Sequence, residues 1–398
     1  MNNNIAGKVI GAGGFGCVFY PSLKCKNSKN KYNGISKLSL KNEVEKEEKL
    51  NNEIKPIIFK IKNYDDYFII NKIFSCKPNK LTQDDLEKFD TCISLINLGI
   101  TKDNINKNLD KFLILNIPYG GEELFNFISN EKDFIKRFIF YNKKFYNILK
   151  FAIIEMNKLG LIHNDIKSNN LLINIEDLNE GIKIIDWGMS TILKNRNNIP
   201  DIIKYRGIQF NLPFSSIIFD PNFKIIYESV LKTYRKQDNK LVIKNFIIYM
   251  FKNYYFNSGH TLYIINYLFP LIYKSNNNID KFDIEILENN KGFLFIIKYL
   301  ENILLKYTDF ENFKFHEKEY YFNIFIHNCD LWGFLTIYLD ILLVFKKHKL
   351  NKRPIIELIK NFLYNEKYAI SIINKEKLLT EILKIKINNP NKTHKRKQ

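Results

Sequence analysis

The sequence predicts an α+β chain, with strands gathered in its first third and helices dominating the rest. Three observations carry this. Residues 1–30 alternate β-like runs around a glycine-dense turn, Gly11-Ala12-Gly13-Gly14-Phe15-Gly16. Phe138 to Leu159 repeats apolar residues at helical spacing, with Tyr146, Leu149, Ile153 and Met156 on one side. Leu331 to Phe345 is almost wholly apolar and reads as a buried core helix. A chain of 398 residues that is 45% hydrophobic can bury a large core and is long enough for two lobes or domains, so a disordered polymer is excluded.

The elements follow in order. The Gly-rich turn is flanked by Ile10 and by Cys17-Val18-Phe19-Tyr20, and Ile35 to Leu38 reads as a further short strand. A charged helix is expected from about Lys41 to Ile61, with Pro56 as a complication because an interior proline removes a hydrogen bond. Tyr67 to Phe74 and Lys111 to Leu115 read as strands, separated by a polar stretch with a helix in it. Asn116-Ile117-Pro118-Tyr119-Gly120-Gly121 breaks the last strand and suits a connector. Leu171 to Ile173 and Ile182 to Ile185 read as a hairpin. Beyond about residue 214 the chain is aromatic-rich with polar breaks, such as Ser275 to Asn278, and reads as several helices.

The formal charge of +19 invites nucleic acid, acidic proteins or anionic membranes. The lysines are scattered, which favours solvated faces, and no DNA-specific motif occurs. The clearest basic cluster, Lys392 to Lys397, reads as a flexible tail, either solvated or suited to acidic partners. The five cysteines show no C-x-x-C pair, so neither a zinc site nor a disulfide framework is expected and a reducing compartment is inferred. The N-terminus is polar, without a visible secretory signal, and a cytoplasmic protein is expected. Leu331 to Phe345 is short for a membrane span and carries Asp340. His260, His316, His327 and His348 stand at no ligand spacing and read as core or surface residues.

The chemistry lies in Ile162 to Asn170, I-H-N-D-I-K-S-N-N, answered by I-I-D-W-G at Ile184 to Gly188. Asp165, Lys167 and Asn170 put a carboxylate, an ammonium and an amide on one loop, and Asp186 adds a second carboxylate. Phosphoryl transfer from a nucleotide needs such groups: a carboxylate for the attacking hydroxyl, oxygen ligands for Mg²⁺ and a cation on the moving phosphate. The glycines upstream let a backbone close over phosphates without side-chain obstruction. A lone G-x-G-x-x-G could be a dinucleotide fingerprint, but here a β-like run follows it instead of a helix.

Together these motifs resemble the eukaryotic-type serine/threonine protein kinases, whose pattern is H-R-D-x-K-x-x-N and then D-F-G. Asn164 stands for the family's Arg and Trp187 for its Phe. The resemblance runs from about Gly7 to Gly188 and resumes at Asp330-Leu331-Trp332-Gly333. It implies a two-lobed fold: a β-rich N-lobe over 1–118, a helical C-lobe over 119–388 with a long insert at about 214–328, and a basic tail at 389–398. The missing A-P-E motif, whose place N-L-P-F occupies, and the Asn/Ile/Lys-rich composition resemble the divergent kinases of large DNA viruses, with host cytoplasm or virion as the place of action.

The resemblance also implies roles. Ile10, Gly11, Gly13, Gly14, Gly16 and Val18 would cover ATP, Lys37 would hold its α- and β-phosphates, and Asn116 and Pro118 would meet the adenine edge with Leu115 behind it. Among Glu43, Glu45, Glu47, Glu48 and Glu53, the expected partner of Lys37 is Glu53, because Ile57 follows one turn on. Asp165 would orient and deprotonate a protein hydroxyl, Lys167 would neutralise the γ-phosphate, and Asn170 and Asp186 would hold Mg²⁺. Asp330 would bond to the backbone of the catalytic loop, and Arg353 would lack its usual glutamate. With Arg replaced by Asn164, no cation is expected there to receive an activation-loop phosphate, and activity without activation-loop phosphorylation follows. The alternatives are a pseudokinase that serves as a scaffold, small-molecule kinases, and a nucleic-acid-binding protein.

Overall fold

A computed structural model describes residues 7–13, 16–28, 31–130, 134–175, 181–193, 198–273, 279–348 and 350–387. Gly14, the break at Ser275 to Asn278 and the basic tail 389–398 lie outside the described residues. The chain forms two compact units: Met1–Gly121 with Ile173–Gly188, and Glu122–Leu172 with Met189–Gln398.

The first unit is built on an antiparallel sheet of β1 (Lys8–Gly13), β2 (Gly16–Tyr20), β3 (Ile35–Leu40), β4 (Phe74–Cys76) and β5 (Phe112–Ile117), in the order β1-β2-β3-β5-β4. Alternation decides its two faces. Cys17, Phe19 and Leu38 point into a core with Phe89, Leu95 and Phe112. The residues between them face the other way, and register aligns Gly11, Val18, Lys37, Leu115 and Ser75 across all five strands. Helix α1 (Lys41–Ile58) follows β3 and runs through Pro56. It buries Val44, Asn51, Ile54 and Ile58, one stripe at i, i+7, i+10 and i+14.

Two expectations fail in this unit. Tyr67 to Phe74 is not a strand. Phe68 makes only an isolated bridge to Ile184, Asn71 folds back to donate to Tyr64 Oη at 2.9 Å, Lys72 takes a left-handed φ of 58°, and pairing with β5 starts at Phe74. The cysteines also pair. Cys17 bonds Cys92 and Cys25 bonds Cys76, with Cα atoms 5.6 and 5.8 Å apart, and Cys329 is the free thiol. Partners 75 and 51 residues apart leave no short-spacing signature to read in the sequence.

The second unit is helical. Helix α2 spans residues 138–158, with a π-helical turn at Leu149–Ile153, and leads to the loop of interest. Past residue 214 come α3 (Pro221–Thr233), α4 (Asn239–Met250), α5 (Thr261–Tyr273), α6 (Lys291–Tyr307) and α7 (Glu317–Phe345). Their starts are written locally. Asp220 caps α3 ahead of Pro221, Asp238 caps α4, and the Asn290 side chain accepts from the N–H groups of Gly292 and Phe293 at the head of α6. Helix α7 is longer than the sequence suggested, 29 residues, long and apolar enough by composition to cross a membrane. Its most apolar stretch is 89% buried, which identifies a core helix. Trp332, fully buried in α7, packs against Phe214 at 5.1 Å and Tyr299 at 5.7 Å between ring centroids. Arg353 pairs at the surface with Glu357 one turn on, at 2.6 Å.

Candidate active site

In the first unit, Val18 lies opposite Gly11 on one side and Lys37 on the other, so the strand register alone puts the predicted nucleotide residues side by side. The β1–β2 register slips between Val9 and Gly11, leaving Ile10 as an unpaired bulge, 56% exposed. A Cβ on Gly16 would run into the Leu38 carbonyl and press on Ser39, so that glycine is needed for the close approach of β2 to β3. Asn116 sits opposite both Ser36 and Phe74. Its buried amide accepts from Ser36 Oγ at 2.7 Å and donates to the sulfurs of Cys25 and Cys76, which ties the end of β5 to a disulfide. The strand stops at Ile117, before Pro118.

Lys37 Nζ donates to Glu47 Oε2 at 2.6 Å. The partner is therefore Glu47 and not Glu53. The reason is helical phase: Asn51, four residues after Glu47, belongs to the buried stripe, while Glu53 beside Ile54 turns to solvent. Glu48 takes a different task, accepting from Ser75 Oγ at 2.8 Å.

Asp186 also belongs to this unit. It adopts a left-handed φ of 64°, a strained conformation for a residue other than glycine, and its carboxylate is exposed beside the N–H of Gly188. The turn is fixed next to it: Ile184 N–H donates to Tyr67 O at 2.8 Å, and Trp187 packs on Phe68 with ring centroids 5.9 Å apart.

In the second unit the loop Ile162–Asn170 is held around Asp165. Lys167 Nζ donates to Asp165 Oδ2 at 2.9 Å, and Asn170 Nδ2 donates to the same oxygen and to the Asp165 carbonyl, both at 2.8 Å. Asn211 Nδ2 donates to Oδ1 at 2.8 Å. Burial alone would raise the pKa of Asp165, but the Lys167 ammonium and the bonds from Lys167 and Asn211 outweigh it and hold the carboxyl below its ordinary range. Asp165 is thus an ionised, oriented acceptor.

Helix α7 carries this loop. Asp330 accepts from the N–H groups of His163 at 2.8 Å and Asn164 at 2.9 Å, and from Asn157 Nδ2 at 2.7 Å, as the sequence led one to expect. Burial pushes its pKa up. A Cβ on Gly333 would meet the Ile166 carbonyl, so the helix backbone lies directly under the loop. Ten residues beyond Asp330, Asp340 accepts from Ser168 Oγ at 2.6 Å, and burial raises its pKa to about 7.

Asn164 has φ 60°, a conformation asparagine tolerates better than arginine. Its amide donates to Met189 O and Thr191 Oγ1, each at 3.0 Å. A cation nonetheless reaches the loop from farther along the chain. Arg206 reaches back, donating to the Asn164 carbonyl at 3.0 Å with its guanidinium 3.9 Å from Asp165 Oδ1. Arg206 and Asn211 were missed because their partners lie 42 and 46 residues upstream; the only trace in sequence was the polar residue opening N-L-P-F.

A family model described as a protein kinase domain matches residues 5–207. The chain belongs to the protein kinases. Its β-sheet followed by a mostly helical remainder is compatible with the two-lobed kinase fold, and the family's chemistry is ATP binding and phosphotransfer to proteins. Kinases also use a divalent metal, and the donors present fit one. Asn170 spends Nδ2 on Asp165, which leaves its amide oxygen for a cation, and Asp186 offers an exposed carboxylate. A carboxylate and an amide oxygen are each a ligand type that Mg²⁺ takes, and Asn170 and Asp186 supply them from different units. Among the described residues no cluster of three His, Cys, Asp or Glu side chains could hold a metal by itself.

Proposed function

We propose that this kinase is catalytically active and transfers the γ-phosphate of ATP to serine or threonine hydroxyls of a protein. The observation that carries the reading is Asp165, whose two carboxylate oxygens are oriented by Lys167, Asn170 and Asn211 while the group stays ionised. Asp165 accepts the proton of the incoming hydroxyl as the new bond forms. Lys167, at 2.9 Å, moves its ammonium between that carboxylate and the transferring phosphoryl group. Lys37, held by Glu47, binds the α- and β-phosphates, and the glycines of β1 and β2 bring backbone N–H groups over them. Asn170 and Asp186 would hold Mg²⁺, which would supply positive charge to offset that of the phosphates. Most of the acceleration on this reading comes from positioning and electrostatics.

The serine/threonine assignment rests on Lys167 two residues after Asp165. The Asn/Ile/Lys-rich composition supports a place among the kinases of large DNA viruses. A cytoplasmic site of action rests on sequence alone, and the two disulfides count against it, since such bonds persist in oxidising settings, virion surfaces included. The deciding experiment is transfer of labelled γ-phosphate from Mg-ATP to a generic protein acceptor by wild type and Asp165→Ala, followed by phosphoamino-acid analysis. Phosphoserine or phosphothreonine made only by wild type supports the proposal. ATP binding without transfer to any acceptor points instead to a pseudokinase scaffold.

A further inference from the structure

Asn211 and Arg206, which hold the catalytic loop, sit on a stretch with no A-P-E motif to anchor it. Arg353, the residue that would pair with that motif, is engaged locally with Glu357. The stretch is nevertheless fixed, and from two sides. Trp332 Nε1 of α7 donates to the Phe210 carbonyl at 3.0 Å. The second anchor is the turn that opens α5. The N–H of His260 donates to Ile208 O at 2.7 Å, and the N–H of Phe210 donates to His260 Nδ1 at 3.4 Å. The Phe210 and His260 rings also pack, tilted by 41° with centroids 5.1 Å apart.

The backbones meet closely enough to demand glycine. Gly259 has φ 54°, and a Cβ there would collide with the Ile208 carbonyl. A Cβ on Gly207 would come within 3.3 Å of Gly259 N. Nδ1 of His260 acts as an acceptor, so the ring is neutral with its proton on Nε2. Burial lowers its pKa, and the nearby Lys167 and Arg206 cations act in the same direction against Asp165. The imidazole therefore stays an acceptor at neutral pH.

We propose that the Gly259–His260 turn is a built-in brace for the catalytic loop, with His260 as a positioning residue that acts on Asp165 through Phe210 and Asn211. The chain of contacts is short: His260 fixes residues 208 and 210, the next residue is Asn211, and Asn211 fixes the Asp165 carboxylate. The helical stretch that carries α5 thereby does for the substrate segment what an A-P-E ion pair or a phosphorylated loop would otherwise do. This rests on the active-kinase reading for its catalytic consequence, but the brace itself is a structural statement that can be checked separately.

The experiment compares wild type, His260→Ala and His260→Asn. The asparagine side chain places an oxygen near the position of Nδ1 and keeps an acceptor for the Phe210 N–H. His260→Ala is expected to lower kcat at least tenfold with KM for ATP changed less than twofold. His260→Asn is expected to return kcat to within about threefold of wild type. Equal activity of the alanine and asparagine variants, whether high or low, overturns the proposal, as does a loss confined to KM for ATP. Hydrogen exchange of the Phe210 amide in the unaltered protein is the companion measurement and needs no variant to fold. Protection is expected; exchange at the rate of an open amide overturns the brace. If wild type transfers no phosphate while Phe210 is protected, the kinase reading fails and the brace stands.

Discussion

Asp340→Asn is expected to remove a fall in the stability of the second unit as pH rises. In wild type the carboxyl is buried in α7 with Ser168 Oγ as its donor, and burial raises its pKa to about 7 from the ordinary 3.8. Between these two values the folded state holds a proton that the unfolded state has given up. Stability therefore falls as pH rises from about 4 and levels off above about 7. The full span is about 3 pKa units, or roughly 4 kcal/mol, of which about 3 kcal/mol falls between pH 5 and pH 8.5. Asparagine never ionises and still accepts from Ser168, so the difference between variant and wild type should move by about 3 kcal/mol in the variant's favour over that interval. Urea unfolding at both pH values measures it. The chain has two tryptophans, so a Trp187→Phe background leaves Trp332, inside α7, as the fluorescent reporter of this unit. A gap that stays constant within about 0.5 kcal/mol, or that moves toward wild type at high pH, would refute the reasoning.

Glu47→Gln removes the charge that holds Lys37 and is expected to cut kcat/KM by about ten- to a hundredfold, while Glu53→Gln, at an exposed position, stays within about twofold; steady-state kinetics with ATP separate them. Gly333→Ala drives a methyl into the Ile166 carbonyl and should cost about 1–3 kcal/mol in urea unfolding together with most of the activity. Non-reducing digestion should yield the linked pairs Cys17–Cys92 and Cys25–Cys76 with Cys329 as the alkylatable thiol of the denatured protein. On the chain-entropy account, loops of 75 and 51 residues are worth about 4 kcal/mol each, so reductant should lower the melting temperature of the first unit. Phosphatase treatment should leave activity unchanged, because Arg206 is already engaged by the catalytic loop and is not held ready for a phosphate.

What was legible in the sequence follows from how each residue gets its job. Asp165, Lys167 and Asn170 act within one turn of chain, so chemistry fixes their spacing and the spacing shows. Asp330 announced itself by its place before Trp332 and Gly333. Glu47 was within reach and lost to the preference for a glutamate followed one turn on by an apolar residue; the helix instead buries Asn51, one turn after Glu47. Arg206, Asn211 and His260 were illegible because nothing local distinguishes them. They matter through partners tens of residues away, and a lone histidine among scattered polar residues reads as filler. The cysteines failed for the same reason, since pairs far apart in sequence leave no motif. The would-be strand before Phe74 failed because a side chain, Asn71, bonded back to its own neighbourhood and broke the alternation.

Helix α7 has a practical consequence for anyone dividing this gene. The match to the kinase family ends at residue 207, and that boundary invites an expression fragment. Such a fragment would contain the Gly-rich turn, Lys37, the Asp165 loop and Asp186. It would lack Asn211, which steadies the Asp165 carboxylate, and Asp330, Gly333 and Asp340, on which the loop rests. The catalytic apparatus is thus recognised by one half of the chain and assembled by the other. A truncation at the apparent domain edge would yield a polypeptide that scores as a kinase and has no scaffold under its active loop.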